Sequence, residues 1–260
     1  MYQLAGVNLP FNSKNEALVK NRLVRVLRKY NFQTYEEYWS FIKAADDSQK
    51  QEFISALTTN MTSFFREISH FDWFKKHLKE HFSRHYSIRI WCAASSTGQE
   101  PYTIAISVCE SLSESQRGHV RILASDIDLE VLKKASLGYY FENEISGLSK
   151  DLIFKYFDRM KKNGETVYRV KDFLRSMVQF SQFNLVSEKY EFKRPFDVIF
   201  CRNVLIYFDE KTVGSVIEKL SNSLTPSGYL LLGHSESGNV RHRRLTALSK
   251  AIFQRKEEHG

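Results

Sequence analysis

The sequence predicts an α/β protein, a mainly parallel sheet covered by helices on both faces and preceded by a small all-α domain. Three observations carry this. From Asn15 to about Trp73 the pattern is helical, with no strand signal. Beyond Arg84, short apolar runs alternate with amphipathic segments, and between Gly138 and Met177 that alternation breaks down. Strands separated by helices need crossover connections, which make the sheet parallel and place helices on both faces.

In the first helix Val19, Leu23, Val26, Leu27 and Tyr30 form one apolar stripe, with Arg22, Arg25, Arg28 and Lys29 on the opposite face. Two more helices are expected over 35–45 and 48–60. The expected strands are IRIWCA, VRILASDID, MVQFSQF, DVIFCRN and GYLLL, with TPSG (225–228) turning the last helix into GYLLL and ALSKAIFQRK closing the chain as one more strand. In the break, SKDLIFKYFDRM reads as a helix and KKNGETVYRVK as a hairpin about Asn163–Gly164. The expected division is a helical domain over 1–75 and a sheet domain over 76–260, with an insertion over about 139–177.

At 260 residues, 42% hydrophobic and 26% charged, the composition is that of a soluble globular protein. No run approaches the ~18 apolar residues of a membrane-spanning helix. The N-terminus has no basic head followed by an apolar run, so no signal peptide is expected. Cys92, Cys109 and Cys201 form no metal spacing and read as reduced thiols of a cytoplasmic protein. The formal charge is +8, and six basic residues between Lys14 and Lys29 face one acid, Glu16. Such a helix suits nucleic acid, anionic lipid or an acidic protein surface, and charge alone does not choose among them. A charged stripe is usually a solvated face; its nearly uniform sign favours docking of an acidic partner.

In an open parallel sheet, ligands collect at the carboxyl ends of the strands. After IRIW comes CAASSTGQEPY, whose small residues permit a tight turn and close approach of a ligand. It contains neither G-x-G-x-x-G nor G-K-[ST], so a cofactor without phosphates fits better. Asp126, 28 residues after Gly98, is placed to accept hydrogen bonds from ribose hydroxyls, while Asp128 is the better cap for the following helix. Asn184 and Leu185 are placed to flank an adenine. The fourth strand delivers Arg202 and Asn203 to the same edge, with Tyr207 just beyond; Arg202 reads as either a functional group or a structural ion-pair partner.

TTNMTSFFRE (58–67), WCAASSTGQEPYT (91–103), ASDIDLEVLKKA (124–135), FDVIFCRNVLIYF (196–208) and GHSE (233–236) resemble the chemotaxis receptor methyltransferases of the CheR type, in order and with compatible spacing. The resemblance implies a class I S-adenosylmethionine (SAM) methyltransferase, with a doubly wound sheet, an inserted small β-subdomain and an all-α N-terminal domain. It implies transfer of a methyl group to glutamate side chains of chemoreceptors in chemotaxis adaptation, leaving S-adenosylhomocysteine. Carried over by position, the cofactor contacts are Asn60, Thr62, Arg66, Glu100, Asp126, Asn184, Leu185, Arg202 and Asn203, with Tyr207 beside the reaction centre. Arg22, Arg25 and Arg28 look like the receptor-docking element, and the insertion corresponds to a β-subdomain that in some members holds a receptor's C-terminal tether. Gln99 departs from the family, which often has an acid there. A monomer is expected, with no nucleic acid, no membrane insertion and no metal.

Methyl transfer from a sulfonium is an in-line displacement, so positioning is the main task. A glutamate of pKa ~4.3 is already ionised at neutral pH and needs no general base. Arg66 would hold either the acceptor carboxylate or the cofactor's own, against the plainer reading of a helix-surface arginine. Tyr207 would orient the acceptor oxygen or sit near the sulfonium. The rivals are a methyltransferase for RNA or a small molecule, a non-catalytic module binding SAM or its product, and, more distantly, a nicotinamide dehydrogenase. Finally, His77, Glu80 and His81 spell H-x-x-E-H, with His85 one turn on; Phe74, Leu78 and Phe82 on the same side favour packed helix histidines over a zinc site.

Overall fold

The structure is a computed structural model and describes residues 5–6, 8, 13–81, 87–238 and 240–257. Three helices come first: α1 (Ser13–Tyr30), α2 (Tyr35–Ala44) and α3 (Asp47–Leu57). Two reciprocal capping boxes start the second and third, Thr34 with Glu37 and Asp46 with Gln49. Leu23, Val26 and Leu27 of the predicted stripe are buried against Tyr38, Ile42, Phe53 and Leu57, each such side chain contributing roughly 1.5–3 kcal/mol.

The helical pattern does not continue to Trp73. After Leu57 the chain leaves the helix and runs irregularly until α4 (Ser69–His81), with Phe65 and Glu67 at φ of 52° and 57°. This linker buries Phe64 edge-to-face against Tyr140 and Phe157 at 5.1 and 5.5 Å, and the aromatic burial replaces the helical hydrogen bonds given up.

The rest of the chain runs β1 (Ile88–Cys92), α5 (Gln99–Ser111), α6 (Glu114–Arg117), β2 (Val120–Asp126), α7 (Leu129–Leu137), β3 (Tyr139–Phe141), α8 (Glu142–Ile145), α9 (Lys150–Tyr156), β4 (Phe157–Lys162), β5 (Glu165–Val170), α10 (Asp172–Arg175), β6 (Val178–Gln182), β7 (Phe196–Cys201), α11 (Glu210–Asn222), β8 (Leu224–Leu232), β9 (Leu245–Ser249) and β10 (Ile252–Arg255). The main sheet has the order β6-β2-β1-β7-β8-β10-β9, with the first five strands parallel and β10 antiparallel to both neighbours. Its inner strands β1 and β7 read as nearly continuous apolar runs because both faces are covered, whereas the edge strands β6 and β9 are mostly exposed. Ile90 and Cys92 pack with Phe71, Phe74 and Leu78 of α4 on one side; Trp91 packs with Phe196, Val216 and Leu220 on the other. Among the described residues no helix is long and apolar enough to cross a membrane.

Three local expectations are corrected. ALSKAIFQRK is not one strand but a hairpin of two, reversing at Ala251 with φ 66°. TPSG is not a turn ahead of a strand: Leu224 already pairs with Phe196 and Tyr229 with Val198, so 225–228 loop out of register within β8. SKDLIFKYFDRM is helix only to Tyr156 and then becomes β4. The hairpin stands where it was expected, with Asn163 and Gly164 both at positive φ (52° and 84°) as a two-residue primed turn requires, and β3-β5-β4 form a separate antiparallel sheet.

Candidate active site

The chain builds β1, β2 and β6 outward in one direction and then returns to lay β7 on the other side of β1. At such a reversal the loops diverge, and a crevice opens at the carboxyl ends of the strands. The crevice is a cleft of about 380 Å³, within the usual size for a small-molecule site. Asn60, Thr62, Arg66, Glu100, Asp126, Asn184, Leu185, Arg202, Asn203 and Tyr207 all line it. Asn60, Thr62 and Arg66 come from the linker. Arg66 therefore sits on a turn rather than a helix surface, its Nη1 donating to the Met61 carbonyl at 2.9 Å.

The β2 side is lightly tied. Asp126 accepts from the backbone N–H of Ser96 at 2.8 Å and of Asp128 at 3.1 Å, and burial pushes its carboxyl up to about 6 against these bonds. Asp128 caps α7 through the N–H of Glu130 at 2.9 Å, and its second oxygen holds Asn60 Nδ2 at 3.0 Å and Thr58 Oγ1 at 2.9 Å. Ala93, Ala94 and Ser96 line the cleft, but Gly98 does not face it. With φ 98°, it starts α5 where a Cβ would stand 2.9 Å from that of Ala135, so its smallness serves helix packing.

The β7 side is tightly tied. Arg202, with a side chain wholly inaccessible to solvent, donates to Glu100 at 2.6 Å, to Glu67 at 3.0 Å and to the Arg66 carbonyl. The ion-pair alternative for Arg202 thus describes what its guanidinium does, and Glu100 is its partner in the cleft floor. Two carboxylates given no role from sequence shape this side. Glu67 also accepts from Asn203 Nδ2 and the His234 N–H; burial alone would raise its carboxyl, but the bond from Asn203 and the charge of Arg202 hold it below the usual range. Glu236 accepts from four backbone N–H groups, those of Asn203, Gly233 and Leu205 at 2.7 Å and Ile206 at 3.3 Å. It thereby fixes the turn that carries Tyr207. Burial raises its carboxyl while these amides oppose the shift. FFRE and GHSE contained both residues, but most of their partners are backbone and side-chain groups 30 or more residues away.

Arg22 differs from its expected use. It lines the cleft, donating to the carbonyls of Leu57 and Thr58 at 2.7 and 2.9 Å and to Thr59 Oγ1 at 2.9 Å, so it caps α3 rather than facing a partner. Lys20 pairs with Glu16 and Lys29 with Glu52, leaving Arg25 and Arg28 as exposed cations of the stripe, away from the cleft. His77 is buried and stacks on Trp73 at 4.9 Å, as a packed helix histidine would. The side chain of His81, and His85 entirely, lie outside the described residues.

The cleft suits a nucleoside without phosphates. An open carboxylate stands for the ribose, Leu185 and Phe183 offer apolar walls for a base, and small residues line the β1 turn. Residues 60–252 match the family described as CheR methyltransferase, SAM binding domain, which with the parallel sheet defines the class: a SAM-dependent methyltransferase. Residues 1–58 match the CheR methyltransferase, all-alpha domain. The chain is similar to a chemotaxis protein methyltransferase of Salmonella typhimurium, 42% identical over 254 residues that cover 97% of this chain and 86% of that protein. Proteins of the same description from Escherichia coli (38% identical, covering 97% and 87%) and Borreliella burgdorferi (39%, covering 91% and 85%) are similar as well. The chain belongs to the CheR methyltransferase family.

Proposed function

We propose that this enzyme esterifies glutamate side chains on the helical signalling domains of chemoreceptors, as part of chemotaxis adaptation. Relatives named chemotaxis protein methyltransferase over almost the whole chain support the substrate class. The observation that carries the chemistry is the joining of Arg66 and Tyr207, from two segments distant in sequence, in the cleft that Asp126 lines. When bound, SAM supplies a methyl group on a positively charged sulfur. Asp126 would accept hydrogen bonds from its ribose hydroxyls and Asn184 and Leu185 would flank its base, while Asn60, Thr62, Glu100, Arg202 and Asn203 line the remaining surface. Arg66 holds a carboxylate, and the Tyr207 hydroxyl orients the acceptor oxygen. The acceptor arrives ionised, so no side chain has to remove a proton.

In this reading residues 1–75 dock the receptor through Arg25 and Arg28, with Arg22 steadying the joint behind them. Residues 76–260 carry the chemistry together with Asn60, Thr62 and Arg66 of the linker, and 139–177 form the subdomain. The enzyme works as a cytoplasmic monomer without nucleic acid. Incubation with methyl-labelled SAM and candidate receptor domains tests it. Base-labile label on the receptor is expected, together with a Tyr207→Phe variant that binds cofactor normally but transfers more slowly in a single turnover. Base-stable label would overturn the glutamate ester, and an unchanged single-turnover rate would remove Tyr207 from the mechanism.

A further inference from the structure

Beside the cleft, next to Arg202, Glu67, His70 and His234 converge. Each offers one ligating atom, and these atoms lie within 4.8 Å of one another. Glu67 lies in the linker just before α4, His70 in the first turn of α4 and His234 in the turn after β8, so the fold rather than local sequence assembles the group. His70 is only 1% exposed, and neither of its ring nitrogens has a hydrogen-bond partner of normal geometry. Its Nδ1 stands 3.5 Å from Glu67 Oε2, while the Lys250 carbonyl acts on the ring as an acceptor. Buried polar atoms are rarely left in this state, and a metal-bound imidazole commonly turns its other N–H toward a backbone carbonyl.

The charge balance leaves room for a cation. Two carboxylates, Glu67 and Glu100, surround the single guanidinium of Arg202, a net charge of −1. Were Glu67 to turn one oxygen away, Arg202 would keep Glu100 and the Arg66 carbonyl.

We propose that Glu67, His70 and His234 form a binding site for a borderline divalent cation of the zinc type. Two imidazoles and one carboxylate are a zinc donor set, whereas magnesium and calcium prefer oxygen alone. The Ser69 hydroxyl lies 3.3 Å from His234 Nε2. Closing the donors onto a metal at ~2.0–2.2 Å requires rotation of Glu67 and His234, both partly exposed, about a fixed His70. Because Glu67 also holds Asn203, an occupied site draws on the cleft floor. The proposal does not depend on the acceptor being a receptor glutamate.

The full chain, freed of metal with a chelator, is titrated with zinc chloride by calorimetry and with cobalt chloride by visible absorption. One cation per chain is expected, with the visible bands of four-coordinate cobalt. Affinity should fall at least about tenfold in His234→Gln and remain unchanged in a His77→Gln control. His234 is partly exposed, so its variant decides the matter even if His70→Gln fails to fold. Absence of a saturable one-to-one signal, or binding unaffected by His234→Gln, would overturn the site.

Discussion

The two ends of the cleft are built in opposite ways. At the β7 end the protein supplies its own partners: Arg202 lies between two carboxylates and a carbonyl, and Glu236 accepts four backbone N–H groups. At the β2 end Asp126 has no cationic partner, only the backbone N–H groups of Ser96, Asp128 and Ile127, and it lines the cleft, held up to about 6 by burial. A buried polar group must find partners somewhere. Where the fold supplies them, the group is scaffold; where it leaves capacity open, the group awaits a ligand. That contrast separates two kinds of residue lining one cavity.

The sharpest way to break the contrast is Arg202→Met. Removing the guanidinium leaves Glu67 and Glu100 facing each other without a counter-charge. A loss of about 3–5 kcal/mol in urea unfolding is expected, the usual consequence of breaking a buried pair from one side. If the variant unfolds at the wild-type urea concentration, the scaffold reading of Arg202 is wrong. A smaller effect is expected for Glu236→Gln. Its carbonyl oxygen still accepts some of the amides, but its NH₂ group opposes the others, costing about 1–3 kcal/mol. Since those amides fix the turn bearing Tyr207, methyl transfer should slow more than cofactor affinity falls. Equal losses in both would make Glu236 a plain stability residue.

Much of this was legible in the sequence, for identifiable reasons. Parallel strands covered on both faces are nearly unbroken apolar runs, so IRIWC, interrupted only by Arg89, and DVIFC stand out, and the polar residues that end them mark the ligand edge. Asp128 as a cap and Asn163–Gly164 as a turn are local chemistry, readable without the fold. The linker was not legible, because Phe64, Ile68 and Phe71 keep helical spacing while the chain there answers to Tyr140 and Phe157. Arg22 shares its stripe with Arg25 and Arg28, and only the end of α3, 35 residues away, gives it a different task. Glu67 and Glu236 were hidden because a carboxylate that binds backbone amides and a distant arginine leaves no pattern of its own. The H-x-x-E-H spelling drew attention to His77, while His70 and His234 meet only in three dimensions.

The mildest test bears on the other end of the cleft and concerns Asp126. Its carboxyl, raised from 3.8 to about 6, contributes stability that is fully present below its ordinary value and lost as pH rises through about 6. Near neutral pH the protein therefore carries the cost of an ionised, poorly solvated carboxylate, which ribose hydroxyls would relieve. Asp126→Asn removes that cost and one charged acceptor together. Affinity for SAM should fall by about 1.5 kcal/mol, roughly tenfold, in calorimetry at pH 7.5. The empty variant should unfold no earlier than the wild type at that pH. Binding to the wild type should weaken as pH falls below about 6, where the cofactor must first displace a proton, and the variant should lack that slope. Were the two proteins to show the same pH dependence, Asp126 would belong with the scaffold, and the division between the two ends of the cleft would have to be redrawn.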